Sequence, residues 1–198
     1  MSDPVEDLLR EAGRLALDAW QQTPQSVRDK AAPGRAADFV SAADLAVDCC
    51  VADGLQRLHP AVALISEERG PATEIPADAF VLDPIDGTHN FLAGNPWWTI
   101  SLARTRGHEV EEAWIHHPVT GAMTHAVRGG STTLDGERVR VSDRPCREGL
   151  VSIAMSWDLL PLIQGADQFA GLRALGSQAM ALAMTAAGLD ALSEGRFT

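Results

Sequence analysis

One segment, residues 79–91, constrains the fold of this chain more than any other. It reads Ala-Phe-Val-Leu-Asp-Pro-Ile-Asp-Gly-Thr-His-Asn-Phe. Its first four residues are apolar and predict the end of a buried strand. Pro84 has no backbone N–H, so we expect the strand to stop there. Gly87 permits a tight bend, and a helix can begin at Thr88.

Two carboxylates, Asp83 and Asp86, lie at this predicted strand end. Carboxylate oxygens suit a hard divalent cation, and the free N–H groups of a helix start suit a phosphate. A second pair of acids, Glu67 and Glu68, follows the apolar run 62–65. Strands that are close in sequence are often neighbours in a sheet, so we expect the acids to converge. These residues predict a metal-dependent phosphate site.

The same segment resembles the central signature of the inositol monophosphatase family, which are lithium-sensitive, magnesium-dependent sugar phosphatases. The signature Asp-Pro-Ile-Asp-Gly-Thr stands at residues 83–88. Ser66-Glu67-Glu68 resembles the family's Gly-Glu-Glu motif, and residues 38–44 resemble its Asp-x-Val-Thr-x-x-Asp motif. Residues 129–142 and 175–191 are similar to a hairpin, helix and strand of the family.

The resemblance implies an α/β fold of the layered αβαβα type. Residues 1–145 would form an N-terminal α+β half that carries the metal site. Residues 146–198 would begin a C-terminal α/β half that is incomplete relative to the family.

The resemblance also implies a role for each matching residue. The metal ligands would be Glu67, Asp83, the carbonyl of Ile85 and Asp86, with Asp83 bridging two of two or three Mg²⁺ ions. The catalytic residues would be Asp44, Glu67 and Thr88, with the Thr88 hydroxyl paired with Asp44 to orient or deprotonate the attacking water. The substrate-binding residues would be Asp86, Gly87, Thr88, Gly176, Ser177 and Glu194. Ser177 could equally be a helix cap.

One departure from the family's pattern lies at the end of the chain. In the family, the acid that Glu194 matches is soon followed by Trp-Asp, whose Asp completes the second metal site. The sequence ends at Thr198 before this pair. Trp157-Asp158 precedes Gly176 and is given no metal role. We favour the explanation that this chain is part of a longer enzyme. Two alternatives stay open: a short enzyme that binds its second metal weakly, and a relative that no longer catalyses.

The expected substrate is a small sugar or cyclitol phosphate such as inositol monophosphate. Histidinol phosphate or a 3′-phosphonucleotide is an alternative, because relatives share the motif. The resemblance also implies a homodimer. The net charge of −11 argues against nucleic acid or an anionic membrane as a partner. Bound Mg²⁺ would outweigh the negative charge of the acids at the site. The remaining acids of the chain would matter little there, because salt screens charges beyond ~8 Å.

The three cysteines, Cys49, Cys50 and Cys146, have no metal-type spacing and predict reduced, buried thiols. Together with the lack of a signal peptide, they predict a cytoplasmic protein. No apolar run approaches the ~20 residues that cross a bilayer. His89 is expected to face solvent, and His116 and His117 should point to opposite faces of a strand. Helices are predicted over 4–22, 41–58, 87–93, 158–164 and 176–187, and strands over 62–66, 79–83, 98–104, 111–117, 122–127, 137–142 and 150–155.

Overall fold

The computed structural model describes residues 3–22, 42–70, 76–145, 148–153, 170–189 and 192–194. Several expectations therefore lie outside the described residues. These are the first motif up to Ser41, the Trp157-Asp158 pair, the helix over 158–164, Cys146, and the side chain of Glu194.

Two long helices cover one face of the main sheet. Helix α1 spans Pro4–Gln22 and α2 spans Ala42–Leu58, close to their predicted limits. Helix α1 buries Leu8, Leu9 and Ala12, which recur at helical spacing as the sequence predicted. Within the described ranges, no helix combines the length and the apolar character needed to span a membrane.

The main sheet has seven strands in the order β1 to β7. Strands β1 and β2 are parallel, and each later neighbour is antiparallel. The parallel pair brings the ends of β1 and β2 to the same edge, as predicted. The strands span Ala63–Ser66, Ala79–Asp86, Thr99–Arg106, Glu109–His117, Ala122–Val127, Thr132–Leu134 and Glu137–Val139.

A smaller parallel sheet lies in the C-terminal part of the chain. Its strands β8 (Leu150–Ile153), β9 (Gly171–Arg173) and β10 (Leu192–Glu194) have the order β10-β8-β9. Helix α4, Gln178–Ala186, contacts both sheets, whereas the short helix α3, Thr88–Ala93, follows β2 directly. The described layers are thus helices, main sheet, α4 and small sheet, in agreement with the predicted layered α/β class.

Strand β2 does not stop at Pro84, so that expectation was wrong. It continues to Asp86 through a register shift, in which Asp83 faces Ser101 and Asp86 faces Thr99. Three residue steps on β2 thus match two on β3, which is a bulge. Pro84 fits because a bulged residue need not donate to the ladder. The bulge also lets carboxylates three positions apart approach the same side of the sheet.

The two adjacent histidines of β4 point to opposite faces, as expected. On the α1 face, the His116 ring packs against Gly13, and Nδ1 lies 3.0 Å from the Ala122 carbonyl oxygen. His117 lies on the α4 face, where Nε2 is 2.9 Å from the Pro96 carbonyl oxygen. Burial lowers the pKa of His116 to about 4 and also lowers that of His117. Both rings are therefore neutral in the folded protein near pH 7.

This pair predicts acid sensitivity. Between the ordinary pKa of 6.5 and about 4, the unfolded His116 binds a proton that the folded protein rejects. The free energy of unfolding should therefore decrease as the pH is lowered through this window, by about 3 kcal/mol for His116 alone. Urea unfolding of wild type and His116→Gln at pH 7.5 and 4.5 measures it. The variant should show a smaller loss, and an equal loss in both proteins would contradict the prediction.

The cysteines differ in part from expectation. Cys49 is exposed and Cys50 is half-buried, so the prediction of buried thiols fails for Cys49. The reason is geometric, because neighbours on a helix point about 100° apart and only one side of α2 faces the core. Burial is the main cause that raises the pKa of the Cys50 thiol.

Candidate metal and phosphate site

Acids from three separate elements converge beside the ends of β1 and β2. Asp44 lies in the first turn of α2, Glu67 and Glu68 lie in the short 3-10 helix Glu67–Arg69, and Asp83 lies on β2. Oxygens of Asp44, Glu67 and Glu68 lie within 4.8 Å of one another. Asp83 interacts with Glu67, Asp86 and Asp44. The structure therefore brings together the acids that the sequence pointed to.

The electrostatics of Asp83 show how unfavourable this crowding is without a cation. Burial, followed by the charges of Asp86 and Glu67, raises the pKa of Asp83 to about 9. Its Oδ1 atom is buried and has no hydrogen-bond partner among the described residues. A carboxylate oxygen left in this state is destabilising unless a proton or a cation satisfies it. The donor set thus fits a divalent metal ion.

Glu68 joins this cluster, although sequence reasoning gave it no ligand role. Burial and the charge of Asp44 raise its pKa. The family resemblance had favoured Glu67 as the ligand. The 3-10 helix turns by about 120° per residue, so both carboxylates can reach Asp44.

An ion pair between an exposed arginine and a buried aspartate fixes the short helix that carries these acids. Arg69 Nε lies 2.9 Å and Nη2 lies 2.7 Å from Oδ2 of Asp48, a residue of α2 that is only 4% exposed. The pair ties residues 67–69 to α2. Neither residue was singled out from the sequence, and the only available signal was the cation directly after two acids.

Replacing Arg69 with Ala should therefore loosen the acid cluster. Asp48 would remain buried without its guanidinium, which costs about 1–3 kcal/mol of unfolding free energy. Metal affinity should fall as well, because Glu67 and Glu68 lose their anchor. Urea unfolding and Mn²⁺ titration measure both effects, with the exposed Arg57→Ala of α2 as the matched control. Equal stability and affinity in the two variants would contradict this role.

Asp86 contacts the start of α4. Its carboxylate accepts hydrogen bonds from the Ser177 hydroxyl and from the backbone N–H groups of Gln178, at 3.2 Å, and Ala179, at 2.8 Å. Ser177 also caps its own helix by accepting from Met180 N at 3.2 Å. The helix-cap alternative for Ser177 is therefore seen, and Asp86 joins the main sheet to α4.

Gly87 and Gly176 meet at this junction. Gly87 has φ +98°, and a Cβ there would lie 2.9 Å from the Trp97 carbonyl oxygen and 3.2 Å from that of Gly176. The Asn90 side chain holds the contact, because Nδ2 donates to Trp97 O at 2.6 Å and to Leu175 O at 2.7 Å. The sequence analysis singled out both glycines as site residues but gave no role to Asn90, which stands directly after the exposed His89.

Two further predicted residues have defined surroundings. The Thr88 hydroxyl donates to the Ile85 carbonyl oxygen at 3.1 Å, which leaves that oxygen a second lone pair. Glu194 lies on β10, where its backbone faces Ile153 of β8. The predicted pairing of Thr88 with Asp44 and the substrate contact of Glu194 stay predictions, as does the division of the chain near residue 145.

The layered α/β fold and the acids gathered beside the segment Asp-Pro-Ile-Asp-Gly-Thr together assign the chain to one family of proteins. The chain belongs to the inositol monophosphatase family, whose model matches residues 3–193.

Individual relatives agree with this assignment. The chain is 33% identical over 165 residues to an inositol-1-monophosphatase of Rhizobium meliloti, covering 77% of this chain and 61% of the relative. It is 32% identical over 194 residues to the Nus factor SuhB of Pseudomonas aeruginosa, covering 90% and 70%. Among solved structures, the Thermotoga maritima IMPase has a TM-score of 0.81 at 28% identity, covering 93% of this chain and 72% of that one. The chain thus spans about three fifths of the first of these relatives.

Proposed function

We propose that this chain carries the active site of a metal-dependent phosphomonoesterase that hydrolyses a small sugar or cyclitol phosphate, such as inositol monophosphate. The observation that carries the proposal is the crowding of Asp44, Glu67, Asp83 and Asp86, with an unsatisfied Asp83 oxygen at its centre. The name of the Rhizobium meliloti relative supports the substrate class.

Glu67, Asp83, Asp86 and the Ile85 carbonyl would hold Mg²⁺, two or three ions per site by family resemblance. Bound Mg²⁺ lowers the pKa of a water molecule and neutralises charge on a phosphate ester. The ions also explain how a chain of net charge −11 can bind an anion, because the substrate meets cations and not bare acids.

Other residues position the reactants. The Thr88 hydroxyl, together with Asp44, would orient the attacking water, and the backbone N–H groups of Gly87 and Thr88 would donate to the phosphate. The backbone of Gly176 would contact the substrate ring, to which Ser177 and Glu194 contribute polar atoms. The contact between Gly87 and Gly176 supports this assignment, because the turn at Gly87 and the loop at Gly176 lie side by side.

A second candidate is a non-catalytic member that serves an assembly role. The observation behind this candidate is the name of the Pseudomonas aeruginosa relative, which is a Nus factor. In either case we propose a cytoplasmic homodimer, without nucleic acid or membrane as a direct partner.

Phosphate release from a substrate panel separates these candidates. The panel contains inositol 1-phosphate, a hexose phosphate, histidinol phosphate and a 3′-phosphonucleotide, each with Mg²⁺ and with chelator. The proposal expects Mg²⁺-dependent release, fastest with the cyclitol or sugar phosphates. Preference for another substrate selects the corresponding alternative, and no release from any of them supports the assembly role.

A further inference from the structure

A second group of acids surrounds a histidine on the α1 face of the main sheet. Asp3 precedes α1, Glu112 lies on β4, and His125 lies on β5. Each offers one potential ligand atom, and the three atoms lie within 4.8 Å of one another. None of these residues belongs to the acids around Asp83. The group also has Glu6, in the first turn of α1, as a neighbour.

Carboxylates face both nitrogens of the His125 ring. Nε2 lies 2.8 Å from Glu112 Oε1, and Nδ1 lies 3.7 Å from Glu6 Oε1. Both ring nitrogens are potential metal ligands. The side chains of His125, Glu6 and Glu112 are only 20–29% exposed, so water screens the interaction of their polar atoms with a bound cation incompletely. The two carboxylates would attract a cation at this position.

The potential ligands are already held in place. Asp3 Oδ1 accepts from Val5 N at 2.9 Å, and Oδ2 accepts from Trp114 Nε1 at 2.9 Å. The Trp114 ring also stacks on His125, with centroids 5.2 Å apart and planes 3° apart. Each carboxylate oxygen keeps a further lone pair. Metal ligands are typically oriented by hydrogen bonds of this kind.

Among the described residues, Glu6 and Glu112 have no arginine or lysine as an ion-pair partner, and a cavity gives access to the group. In the described part of the chain, the ion pairs of Glu6 and Glu112 are those with His125. Arg104 stands opposite Glu112 on β3, but its ion pair is with Asp78, at 3.7 Å. A cavity of about 290 Å³, lined in part by Asp3, Glu112 and Trp114, provides an approach.

We propose that Asp3, Glu112 and His125 form a site for a divalent transition-metal ion such as Zn²⁺, separate from the acids around Asp83. An imidazole nitrogen with two carboxylates is a ligand set for Zn²⁺, Co²⁺ or Ni²⁺, whereas Mg²⁺ prefers oxygen alone. Three protein ligands leave a position for water, and Glu6 adds negative charge nearby.

Zinc calorimetry on the tag-free protein tests the proposal, in excess Mg²⁺ so that the oxygen-lined acids are occupied. Wild type should bind one equivalent of Zn²⁺ that His125→Asn and Glu112→Gln bind about 10–100-fold more weakly. Glu112→Gln keeps an acceptor for His125, which protects the fold. The matched control is His108→Asn, an exposed histidine at φ +64°, a conformation that Asn tolerates.

Fluorescence adds a position-specific reading. Co²⁺ bound beside His125 should quench the fluorescence of Trp114, whose ring stacks on His125, and this quenching should disappear in His125→Asn but persist in His108→Asn. Equal zinc binding by wild type, His125→Asn and Glu112→Gln would overturn the proposal. Absence of zinc binding in wild type would overturn it too, and would leave His125 as a simple ion-pair partner of the acids.

Discussion

Asp83→Asn should abolish Mg²⁺-dependent phosphate release, lowering turnover by roughly 10²–10³-fold or more. The substitution removes the negative charge with which Asp83 would hold Mg²⁺ in the proposed function. The fold should persist, and the free energy of unfolding should stay equal or rise. The reason is that Asn carries no charge next to Glu67 and Asp86, whose proximity raises the pKa of Asp83.

The two measurements are steady-state phosphate release and urea unfolding, both compared with Asp53→Asn. Asp53 is an exposed acid on α2, so its variant makes the same chemical change away from the site. Turnover near the wild-type rate in Asp83→Asn would defeat the proposed function. A collapse of stability in that variant would show instead that the carboxylate has a structural role in the folded protein.

Gly87→Ala should damage both stability and activity. A left-handed backbone costs an L-residue about 1–2 kcal/mol. The added Cβ would also lie 2.9 Å from a backbone oxygen of Trp97, which cannot rotate away as a side chain could. We expect a loss of about 2–4 kcal/mol in unfolding free energy in total, together with a fall in kcat as the turn moves.

Gly107→Ala is the matched control for this prediction. Gly107 has φ +61°, close to the left-handed region of Gly87, but nothing lies within 4 Å of a Cβ built there. This variant should show the backbone cost alone and keep its activity. Equal losses in the two variants would mean that the contact between Gly87, Trp97 and Gly176 contributes little.

Much of the fold followed from local patterns. The spacing of Leu8, Leu9 and Ala12 predicted α1, and the two acidic strand ends predicted that β1 and β2 are neighbours with their acids at the same edge of the sheet. The continuation of β2 past Pro84 did not follow, because a bulge depends on the partner strand. The hairpin β6–β7 extends less far than the strand predicted over 137–142, and ends at Val139.

The candidate site was predictable where residues adjoin in sequence, as in 83–88. Contacts that form only when distant elements dock were not predictable. The Arg69–Asp48 pair joins residues 21 positions apart, and Asn90 reaches Leu175 across 85 positions. The group around His125 likewise joins α1 to β4 and β5. Nothing in the local pattern of any of these residues marks its partner.

The clustered acids and the small sheet lie on different elements of the fold, which meet at α4. The clustered acids come from α2, the short 3-10 helix after β1, and β2, whereas the loop ending at Ser177 follows a strand of the small sheet, to which β10 also belongs. Asp86 is a point where the two sets hydrogen-bond directly. Under the proposed function, a lineage can therefore exchange residues in the small sheet to accept a new phosphate ester and still inherit the same hydrolytic chemistry, provided that this carboxylate stays in place.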